Sequence, residues 1–441
     1  MGVIIGIRRE DKNEWERRVP LVPDDLSHLQ ETEDVTFLVQ PSDIRIHADD
    51  EYLQKGITVQ EDLGPADIVF AVKEIPISEL LGPRTFVYFS HTVKGQDYNM
   101  PMLQHLLDQG ATLMDYEKIA DEQNRRLIFF SLHAGYAGMI ESLVCLAQRL
   151  AYLGRRTPLL QVKHAYEYPS LEAAKEHLRE IGQRISAEGL GDHKMPLIIG
   201  LAGYGNVYHG CREILDCLPC RDIPVDQLAE AAGWNLEEAG PLLTVVFKEK
   251  DMVVPRSPEA HFVLQDYYQR PENYRGIFAD HLPHLDVLMN TIYWNTQYPR
   301  LVTRKWVAEN YGPDRDPRLK VIGDISCDIE GGIEVTLKAP HPDAPCFVYD
   351  PKTGRTLDGV EGTGPVIMSV DNLPCELPRE SSQHFSTTLK AMIPDFVKAD
   401  FSLDFDSLNL PSYLKKAVIT HQGSLAPDYR YLQESLDKEL G

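Results

Sequence analysis

Short apolar runs alternate with helix-like segments over the first 120 residues, and this alternation limits the possible fold more than any other feature of the sequence. The runs are rich in β-branched residues and bounded by Gly or Pro, which is typical of buried strands. The predicted strands are Val3–Ile7, Val35–Val39, Ile68–Val72, Phe86–Phe89 and Thr112–Met114. Segments such as Pro23–Leu29 and Met102–Leu107 fit the intervening helices. Strands that alternate with helices predict a parallel, doubly wound α/β sheet.

A second alternation begins after two predicted helices, Leu132–Leu153 and Leu171–Ile185. Its predicted strands are Met195–Gly200, Leu243–Phe247, Phe262–Leu264, Leu285–Met289, Leu319–Ile325 and Val366–Val370. Helices are predicted at Ser382–Val397 and Ser412–Thr420. Since 441 residues suffice for two or three domains, we expect two Rossmann-like doubly wound α/β domains with a cleft between them.

The expected domain boundaries follow from where each alternation starts and stops. Residues 132–334 are expected to form a dinucleotide-binding Rossmann domain. Residues 1–131, joined by a return of the chain over about 335–441, are expected to form a substrate-binding catalytic domain.

The charge of the chain limits its partners. Lys and Arg number 44 and Asp and Glu 67, so the net charge is −23. Nucleic acids and anionic membranes need a basic surface, so neither is expected as a partner. No apolar run approaches the roughly 20 residues that span a bilayer, and the start at Val3–Ile7 is too short for a secretory signal. Seven scattered cysteines favour free thiols in a cytoplasmic protein.

Two pairs of potential metal ligands lack the pattern of a metal site. Cys217 and Cys220 form a CxxC motif without a second ligand pair nearby. The proline between His281 and His284 would break any helix that aligned both rings. We therefore expect no metal.

A glycine-rich turn follows the strand Met195–Gly200, and a helix is predicted to begin directly after it. The residues of the turn are Gly203, Tyr204, Gly205, Asn206 and Val207. Glycines between a strand and a helix let a pyrophosphate approach the helix N-terminus. Tyr208 replaces the usual third glycine, and the next glycine is Gly210, so a turn that merely packs tightly is the alternative. The position of the turn favours a dinucleotide site.

The residue at the end of the next strand normally determines whether a site binds NAD(H) or NADP(H), because an acidic side chain there accepts a hydrogen bond from the ribose 2′-hydroxyl of NAD(H). Here the insertion Asp222–Gly240 delays that strand, which ends at Phe247 and is followed by Lys248 and Glu249. Lys248 suits a 2′-phosphate, whereas Glu249 weakens this assignment. We expect NADP(H) rather than NAD(H).

Two basic side chains follow neighbouring strands of the first alternation. Lys73 follows Ile68–Val72, and His91 lies two residues after Phe86–Phe89. Open α/β sheets bind ligands at the carboxyl ends of their strands. A lysine with a pKa lowered by burial can act as a base opposite a histidine acid. Spacing alone fits two solvated residues that cap strand ends equally well.

Six motifs carry a family resemblance along nearly the whole chain. They are Gly6–Leu21, Phe89–Gln96, Ser131–Gly138, Gly203–Val207, Asp324–Glu334 and Val360–Pro374. With them the sequence resembles lysine–2-oxoglutarate reductases, the saccharopine-forming half of aminoadipate-semialdehyde synthase. More distantly it is similar to alanine dehydrogenase and to lysine-forming saccharopine dehydrogenases, which share a two-domain fold.

The resemblance implies an NADPH-dependent reductive condensation of L-lysine with 2-oxoglutarate, and hence lysine, 2-oxoglutarate and saccharopine as small-molecule partners. It implies Lys73 as the base and His91 as the acid. The implied substrate-binding residues are Arg18, Glu74, Glu122, Arg126 and Asp324. Another opine-type or alanine-type dehydrogenase, or an NAD-dependent lysine-forming saccharopine dehydrogenase, is the alternative.

Arg18 is implied to hold a substrate carboxylate, although Glu16-Arg17-Arg18 alone would fit surface ion pairs. Glu74 is implied to tune the pKa of Lys73. Because the substrates are anions and the protein is acidic, a local positive cleft is expected. It would contain Arg18, Arg125, Arg126 and Lys248. Since the sequence ends at Gly441, a stand-alone reductase without a saccharopine-cleaving half is expected; a homo-oligomer is left open.

Overall fold

A computed structural model describes residues 2–440 and divides them into two units. Residues up to Phe130 and from Pro378 onward form the first unit, and Ser131–Leu377 form the second. Each unit contains an eight-stranded, largely parallel sheet, so the predicted α/β fold with two doubly wound domains is confirmed. Within residues 2–440 no helix combines the length and the apolar character that crossing a membrane requires.

The first unit begins with six parallel strands and three helices. The strands are β1 (Val3–Ile7), β2 (Val35–Val39), β3 (Thr58–Val59), β4 (Ile68–Phe70), β5 (Thr85–Tyr88) and β6 (Thr112–Asp115). The helices are α1 (Pro23–Thr32), α2 (Asp49–Gln54) and α3 (Met100–Asp108). In the strand order β3-β2-β1-β4-β5-β6, β2 and β3 lie on one side of β1, and β4 and the later strands lie on its other side. The order of the strands therefore reverses between β1 and β4. Ligands of open α/β sheets bind at the carboxyl ends of strands beside such a reversal.

The second unit continues with eight helices and ten strands within Ser131–Leu377. The helices are α4 (Ser131–Tyr152), α5 (Leu171–Glu188), α6 (Asn206–Leu215), α7 (Leu228–Ala231), α8 (Leu236–Ala239), α9 (Glu249–Met252), α10 (Leu264–Gln269) and α11 (Arg304–Asn310). The strands are β7 (Leu197–Ala202), β8 (Cys220–Asp222), β9 (Leu242–Phe247), β10 (Val253–Pro255), β11 (Tyr274–Gly276), β12 (Val287–Asn290), β13 (Val321–Asp324), β14 (Cys346–Tyr349), β15 (Thr356–Asp358) and β16 (Val366–Met368). The main sheet has the order β8-β9-β7-β12-β13-β16-β14-β15, in which β14 and β15 are antiparallel to their neighbours.

The chain then returns to the first unit. The elements of this return are α12 (Pro378–Lys390), α13 (Ile393–Lys398), α14 (Ser412–Lys415), β17 (Val418–His421), β18 (Ser424–Leu425) and α15 (Gln433–Leu440). The sequence placed the start of the return at about residue 335. The structure places it at Pro378, because β14, β15 and β16 hydrogen bond into the second sheet.

Two local predictions were wrong. Phe262–Leu264 forms no strand, and α10 begins at Leu264. The helix predicted at Ser412–Thr420 stops at Lys415, and β17 then pairs with β6. Thr420 Oγ1 accepts the Leu113 N–H at 3.0 Å, so the edge of the sheet determines the conformation of this segment.

Helix α6 crosses α4 at two glycines. A Cβ added at Gly210 would lie 2.2 Å from the Leu132 carbonyl oxygen and 2.9 Å from Gly135 Cα. The close packing that the third glycine of a dinucleotide-binding turn provides is therefore supplied here by Gly210 rather than by residue 208.

We predict that Gly210→Ala lowers the free energy of unfolding by about 1–3 kcal/mol, because an added methyl group forces two backbones apart. Urea unfolding measures the change. Gly312→Ala is the matched control, since a Cβ there would meet no atom within 4 Å. Equal losses in the two variants would contradict the close crossing.

Candidate active site

Lys73 follows β4, and Glu10, which follows β1, fixes its backbone. The Glu10 carboxylate accepts the N–H groups of Val72 at 2.6 Å and Lys73 at 3.0 Å. Burial, together with the nearby Glu16 carboxylate, raises the pKa of Glu10. The Lys73 ammonium itself has no hydrogen-bond or ion-pair partner among the residues that the structure describes. Its backbone is held while its side chain is available for chemistry.

His91 follows β5, and Glu74 orients its ring. Glu74 Oε1 lies 2.5 Å from His91 Nδ1, and Glu74 Oε2 accepts from Lys12 Nζ at 2.8 Å. Burial opposes the charged form of Glu74, but the hydrogen bonds with His91 and Lys12 outweigh it and lower its pKa to about 2. A carboxylate at Nδ1 fixes that nitrogen and leaves Nε2 as the proton-transfer atom.

The backbone of His91 lies in the left-handed region, with a φ of 51°. Such a conformation is unfavourable for a residue other than glycine and needs support from its surroundings. Asn99 Nδ2 donates to the carbonyls of Ser90 at 3.1 Å and His91 at 3.2 Å. Ser90 Oγ donates to buried Asp115 at 2.5 Å. This network holds the His91 side chain at the carboxyl end of the sheet.

Two guanidinium groups lie beside aromatic rings near this strand end. Arg126 Cζ lies 5.2 Å from the Phe89 ring centroid, and its side chain is 39% exposed. Arg18 Cζ lies 4.4 Å from the Phe130 ring centroid. The centroids of Phe89 and Phe130 are 6.0 Å apart. The structure thus brings Arg18 and Arg126 to one aromatic cluster that includes the residue after β5.

Arg18 is buried and paired with buried Glu16. Its Nε donates to Glu16 Oε1 at 2.7 Å, and its Nη2 donates to Oε2 at 2.6 Å. Glu122 is exposed, and Arg125, also exposed, pairs with Asp121 at 2.7 Å. Arg126 and Glu122 are both exposed, and Arg126 Nη1 lies 3.5 Å from Glu117 Oε1. The Arg18 guanidinium, in contrast, is buried with the carboxylate that it binds.

Asp324 ends β13 in the second unit and is 1% exposed. Its Oδ1 accepts from Asn290 Nδ2 at 2.8 Å, and its Oδ2 accepts from Thr336 Oγ1 at 2.6 Å. Burial outweighs these hydrogen bonds and raises the pKa of Asp324 to about 6. Both carboxyl oxygens are thus occupied within the second unit.

We predict that Asp324 makes stability depend on pH. In the folded protein the Asp324 carboxyl keeps its proton up to about pH 6, whereas the ordinary pKa of an aspartate is 3.8. The stabilising contribution of protonated Asp324 to the free energy of unfolding is therefore fully present below pH 3.8 and is lost as the pH rises through 6. As the pH rises, the unmodified protein should lose at most about 3 kcal/mol of unfolding free energy through Asp324, and Asp324→Asn should abolish this loss. Urea unfolding at pH 4 and pH 7 measures it, with exposed Asp343→Asn as the control. Equal pH slopes for Asp324→Asn and the unmodified protein would contradict it.

The glycine-rich turn lies between β7 and α6. Gly203 has a φ of 104°, and a Cβ there would lie 2.8 Å from Ile292 Cγ2 and 2.9 Å from Thr291 Oγ1. A Cβ on Gly205 would meet no atom within 4 Å. No side chain caps the N-terminus of α6, which begins at Asn206. Its N–H groups and the open surface at Gly205 therefore fit a pyrophosphate.

A cavity of about 470 Å³ adjoins this turn. Its apolar lining includes Met252, Val253, Phe278, Ile292 and Leu301. The volume lies in the range of small-ligand sites. Glu249 lines the cavity, whereas the exposed Lys248 lies outside this lining, with its Nζ 5.7 Å from the Tyr204 ring centroid.

His281, one of the two histidines singled out in the sequence, packs against Phe278 of this cavity lining, with ring centroids 5.8 Å apart. All seven cysteines are free thiols. His281 Nε2 bonds the Asp251 carbonyl at 2.8 Å. Within residues 2–440 no group of three or more His, Cys, Asp or Glu side chains is arranged to hold a metal ion.

Sequence reasoning missed three residues that shape the first unit's site. Glu10 and Asp115 are buried carboxylates at the carboxyl ends of β1 and β6, and Lys12 pairs with Glu74. Their positions after predicted strands were a usable signal for Glu10 and Asp115. Lys12 carries no such signal, because it lies in a loop.

The sequence is similar to those of several known proteins. Residues 6–137 match the family model of the alanine dehydrogenase/PNT N-terminal domain. The alpha-aminoadipic semialdehyde synthase of Arabidopsis thaliana is 33% identical over 97% of this chain and 41% of its own length. The mitochondrial alpha-aminoadipic semialdehyde synthase of Bos taurus is 33% identical over 98% of this chain and 48% of its own length. The chain thus spans less than half the length of these relatives.

A further relative and two solved structures match most of the chain. A saccharopine dehydrogenase [NAD(+), L-lysine-forming] of Emericella nidulans is 26% identical over 80% of this chain and 81% of its own length. An L-alanine dehydrogenase structure, 17% identical, has a TM-score of 0.64 and covers 98% of this chain and 100% of its own. The structure of a transhydrogenase from Sinorhizobium meliloti, 15% identical, has a TM-score of 0.57 and covers 96% of this chain and 100% of its own. The two structures show a shared fold.

Proposed function

We propose that the chain belongs to the family of the matched part of the alpha-aminoadipic semialdehyde synthases, to which it is 33% identical, and that it is a nicotinamide-dependent oxidoreductase that joins L-lysine to 2-oxoglutarate and forms saccharopine. The observation that carries the proposal is the placement of Lys73 and His91 at the ends of the adjacent strands β4 and β5. Glu74 orients the His91 ring for proton transfer. These groups supply the base and the acid that an amine–ketone condensation needs.

The proposed reaction assigns a proton to each of these side chains. Lys73 removes a proton from the lysine ε-ammonium, so that the neutral amine can attack the ketone carbon of 2-oxoglutarate. The attacking nitrogen loses a proton to the former ketone oxygen, which becomes a hydroxyl group. His91 Nε2 then protonates this hydroxyl group, which leaves as water as the nitrogen lone pair forms a protonated C=N bond. A reduced nicotinamide, when bound, supplies the hydride that converts this bond into the secondary amine.

The substrate charges call for specific neighbours. The product carries three carboxylates, and in this proposal the partly exposed Arg126 guanidinium beside Phe89 binds one of them in exchange for Glu117, whose Oε1 lies 3.5 Å from Arg126 Nη1. Arg18 is already bidentate to Glu16, so in this proposal it shapes the site and binds a carboxylate only in exchange for Glu16. Exposed Glu122 suits the α-ammonium of lysine. Buried Asp324 could bind this ammonium only by giving up its present hydrogen bonds from Asn290 and Thr336.

The dinucleotide belongs to the second unit in this proposal. The turn at Gly203 and Gly205, the uncapped N-terminus of α6 and the adjoining cavity support it. The preference for NADP(H) expected from Lys248 stays a prediction, and the Glu249 carboxylate in the cavity weighs against it. A cytoplasmic location and a homo-oligomeric state also stay predictions.

The test is an absorbance assay of dinucleotide oxidation with purified protein. Oxidation of NADPH or NADH should require both lysine and 2-oxoglutarate, and omission of either should stop it. Activity with ammonia or with another amine in place of lysine would point instead to an alanine-type or opine-type dehydrogenase. No oxidation with any amine and keto acid would contradict the proposed reaction class.

A further inference from the structure

We propose that Glu249 makes the dinucleotide site selective for a free ribose 2′-hydroxyl, so that the protein prefers NAD(H) to NADP(H). This inference rests on the proposed function in one respect: it requires that the second unit binds a nicotinamide dinucleotide. It reverses the preference expected from Lys248, because the structure shows which of the two neighbouring side chains faces the cavity.

The cavity lies where the adenosine half of a dinucleotide would bind. It adjoins Gly203 and Gly205 and extends past the end of β9 towards Met252 and Phe278. In dinucleotide-binding sheets the residue that follows the second strand of the unit meets the ribose hydroxyls. Here β9 is the strand beside β7 on that side of the sheet, and Glu249 follows it within two residues.

Two tyrosines hold the Glu249 carboxylate in place. Tyr268 Oη donates to Oε1 at 2.5 Å, and Tyr204 Oη donates to Oε2 at 3.2 Å. Burial and the Glu249 carboxylate raise the pKa of the Tyr268 phenol, so this hydroxyl remains a donor at neutral pH. Each carboxylate oxygen keeps a lone pair after accepting one hydrogen bond. A fixed acceptor of this kind can take a hydrogen bond from a ribose hydroxyl.

The neighbouring cations do not neutralise this carboxylate. Lys248 is exposed and lies outside the cavity lining, with its Nζ 5.7 Å from the Tyr204 ring centroid. Arg300 lines the cavity, but its Nε donates to the Gly331 carbonyl and its Nη2 to the Glu330 carbonyl, each at 3.0 Å. Its Nη1 lies 3.6 Å from Glu334. A 2′-phosphate would therefore meet a fixed carboxylate before it met an uncommitted guanidinium.

Like charges brought together in a binding site weaken binding, and a tenfold loss of affinity corresponds to about 1.4 kcal/mol. Replacing Glu249 with Gln keeps the shape of the side chain and a carbonyl acceptor but removes the charge. The NADPH penalty should then shrink, whereas NADH loses a charge-assisted hydrogen bond.

The experiment measures equilibrium binding of NADH and NADPH by quenching of protein fluorescence, without amine or keto acid. The unmodified protein should bind NADH at least about tenfold more tightly than NADPH. Glu249→Gln should reduce this ratio at least about tenfold. The matched control is Glu259→Gln, an exposed residue of the same unit that should leave the ratio unchanged.

A second measurement needs no variant. ADP-ribose should displace NADH from the unmodified protein at lower concentration than 2′-phospho-ADP-ribose. A preference for NADPH, or an unchanged ratio in a folded Glu249→Gln protein, would overturn the role of Glu249 and leave the proposed reaction intact. Binding of neither dinucleotide would overturn both.

Discussion

Replacing Lys73 with Met or His91 with Asn is expected to lower kcat/KM for lysine- and 2-oxoglutarate-dependent dinucleotide oxidation by about 100- to 10,000-fold. Lys73→Met keeps the length of the side chain and removes the amine. His91→Asn is chosen because Asn tolerates the left-handed backbone that His91 adopts, with a φ of 51°. The loss should therefore report the missing proton transfer rather than a displaced loop.

The dinucleotide affinity separates this loss from unfolding. The two residues lie in the first unit, and the proposal assigns dinucleotide binding to the glycine-rich turn of the second. Since neither variant changes a residue of that turn, the Kd for NADH or NADPH should stay within about twofold of that of the unmodified protein. Exposed Lys438→Met is the control for loss of a lysine in the first unit. Unchanged turnover in both Lys73→Met and His91→Asn would remove the acid–base assignment.

Replacing Glu16 with Ala is expected to lower the free energy of unfolding by about 3–5 kcal/mol, because it leaves a buried guanidinium without its carboxylate. The side chains of Arg18 and Glu16 are 2% and 0% exposed, and two hydrogen bonds of 2.6–2.7 Å join them. Urea unfolding, followed by circular dichroism, measures the change in the first unit.

The Glu16 variant also tests where Arg18 acts. Exposed Glu14→Ala is the matched control and should change stability by less than about 0.5 kcal/mol. If Glu16→Ala cost no more than Glu14→Ala, the contribution of the Arg18–Glu16 pair to stability would be contradicted.

Strands buried on both faces could be predicted from the sequence almost to the residue. The predicted Val3–Ile7 and Val35–Val39 coincide with β1 and β2, and most residues of these largely apolar runs are buried. The structure of the segment Ser412–Thr420 could not be predicted from the sequence, because its strand forms only by pairing with β6, more than 300 residues earlier. Tertiary contact there overrides local preference.

The site shows the same division between local and distant information. Lys73 and His91 follow predicted strands, so their position was readable from the sequence. Glu10 also follows a predicted strand, but its contact could not be predicted, because its carboxylate holds the backbone of Lys73 across 63 residues of sequence. The choice between Lys248 and Glu249 depended on which side chain turns into the cavity, and two tyrosines from separate segments decide that.

The central claim is that one amine substrate is joined to one keto acid and the bond is reduced. Mass spectrometry of the product formed from lysine labelled with ¹⁵N at its ε-amine tests this most directly. The predicted result is a single product that contains both carbon skeletons and retains the label in the new secondary amine. Formation of glutamate without the label, from ammonia and 2-oxoglutarate, would contradict it.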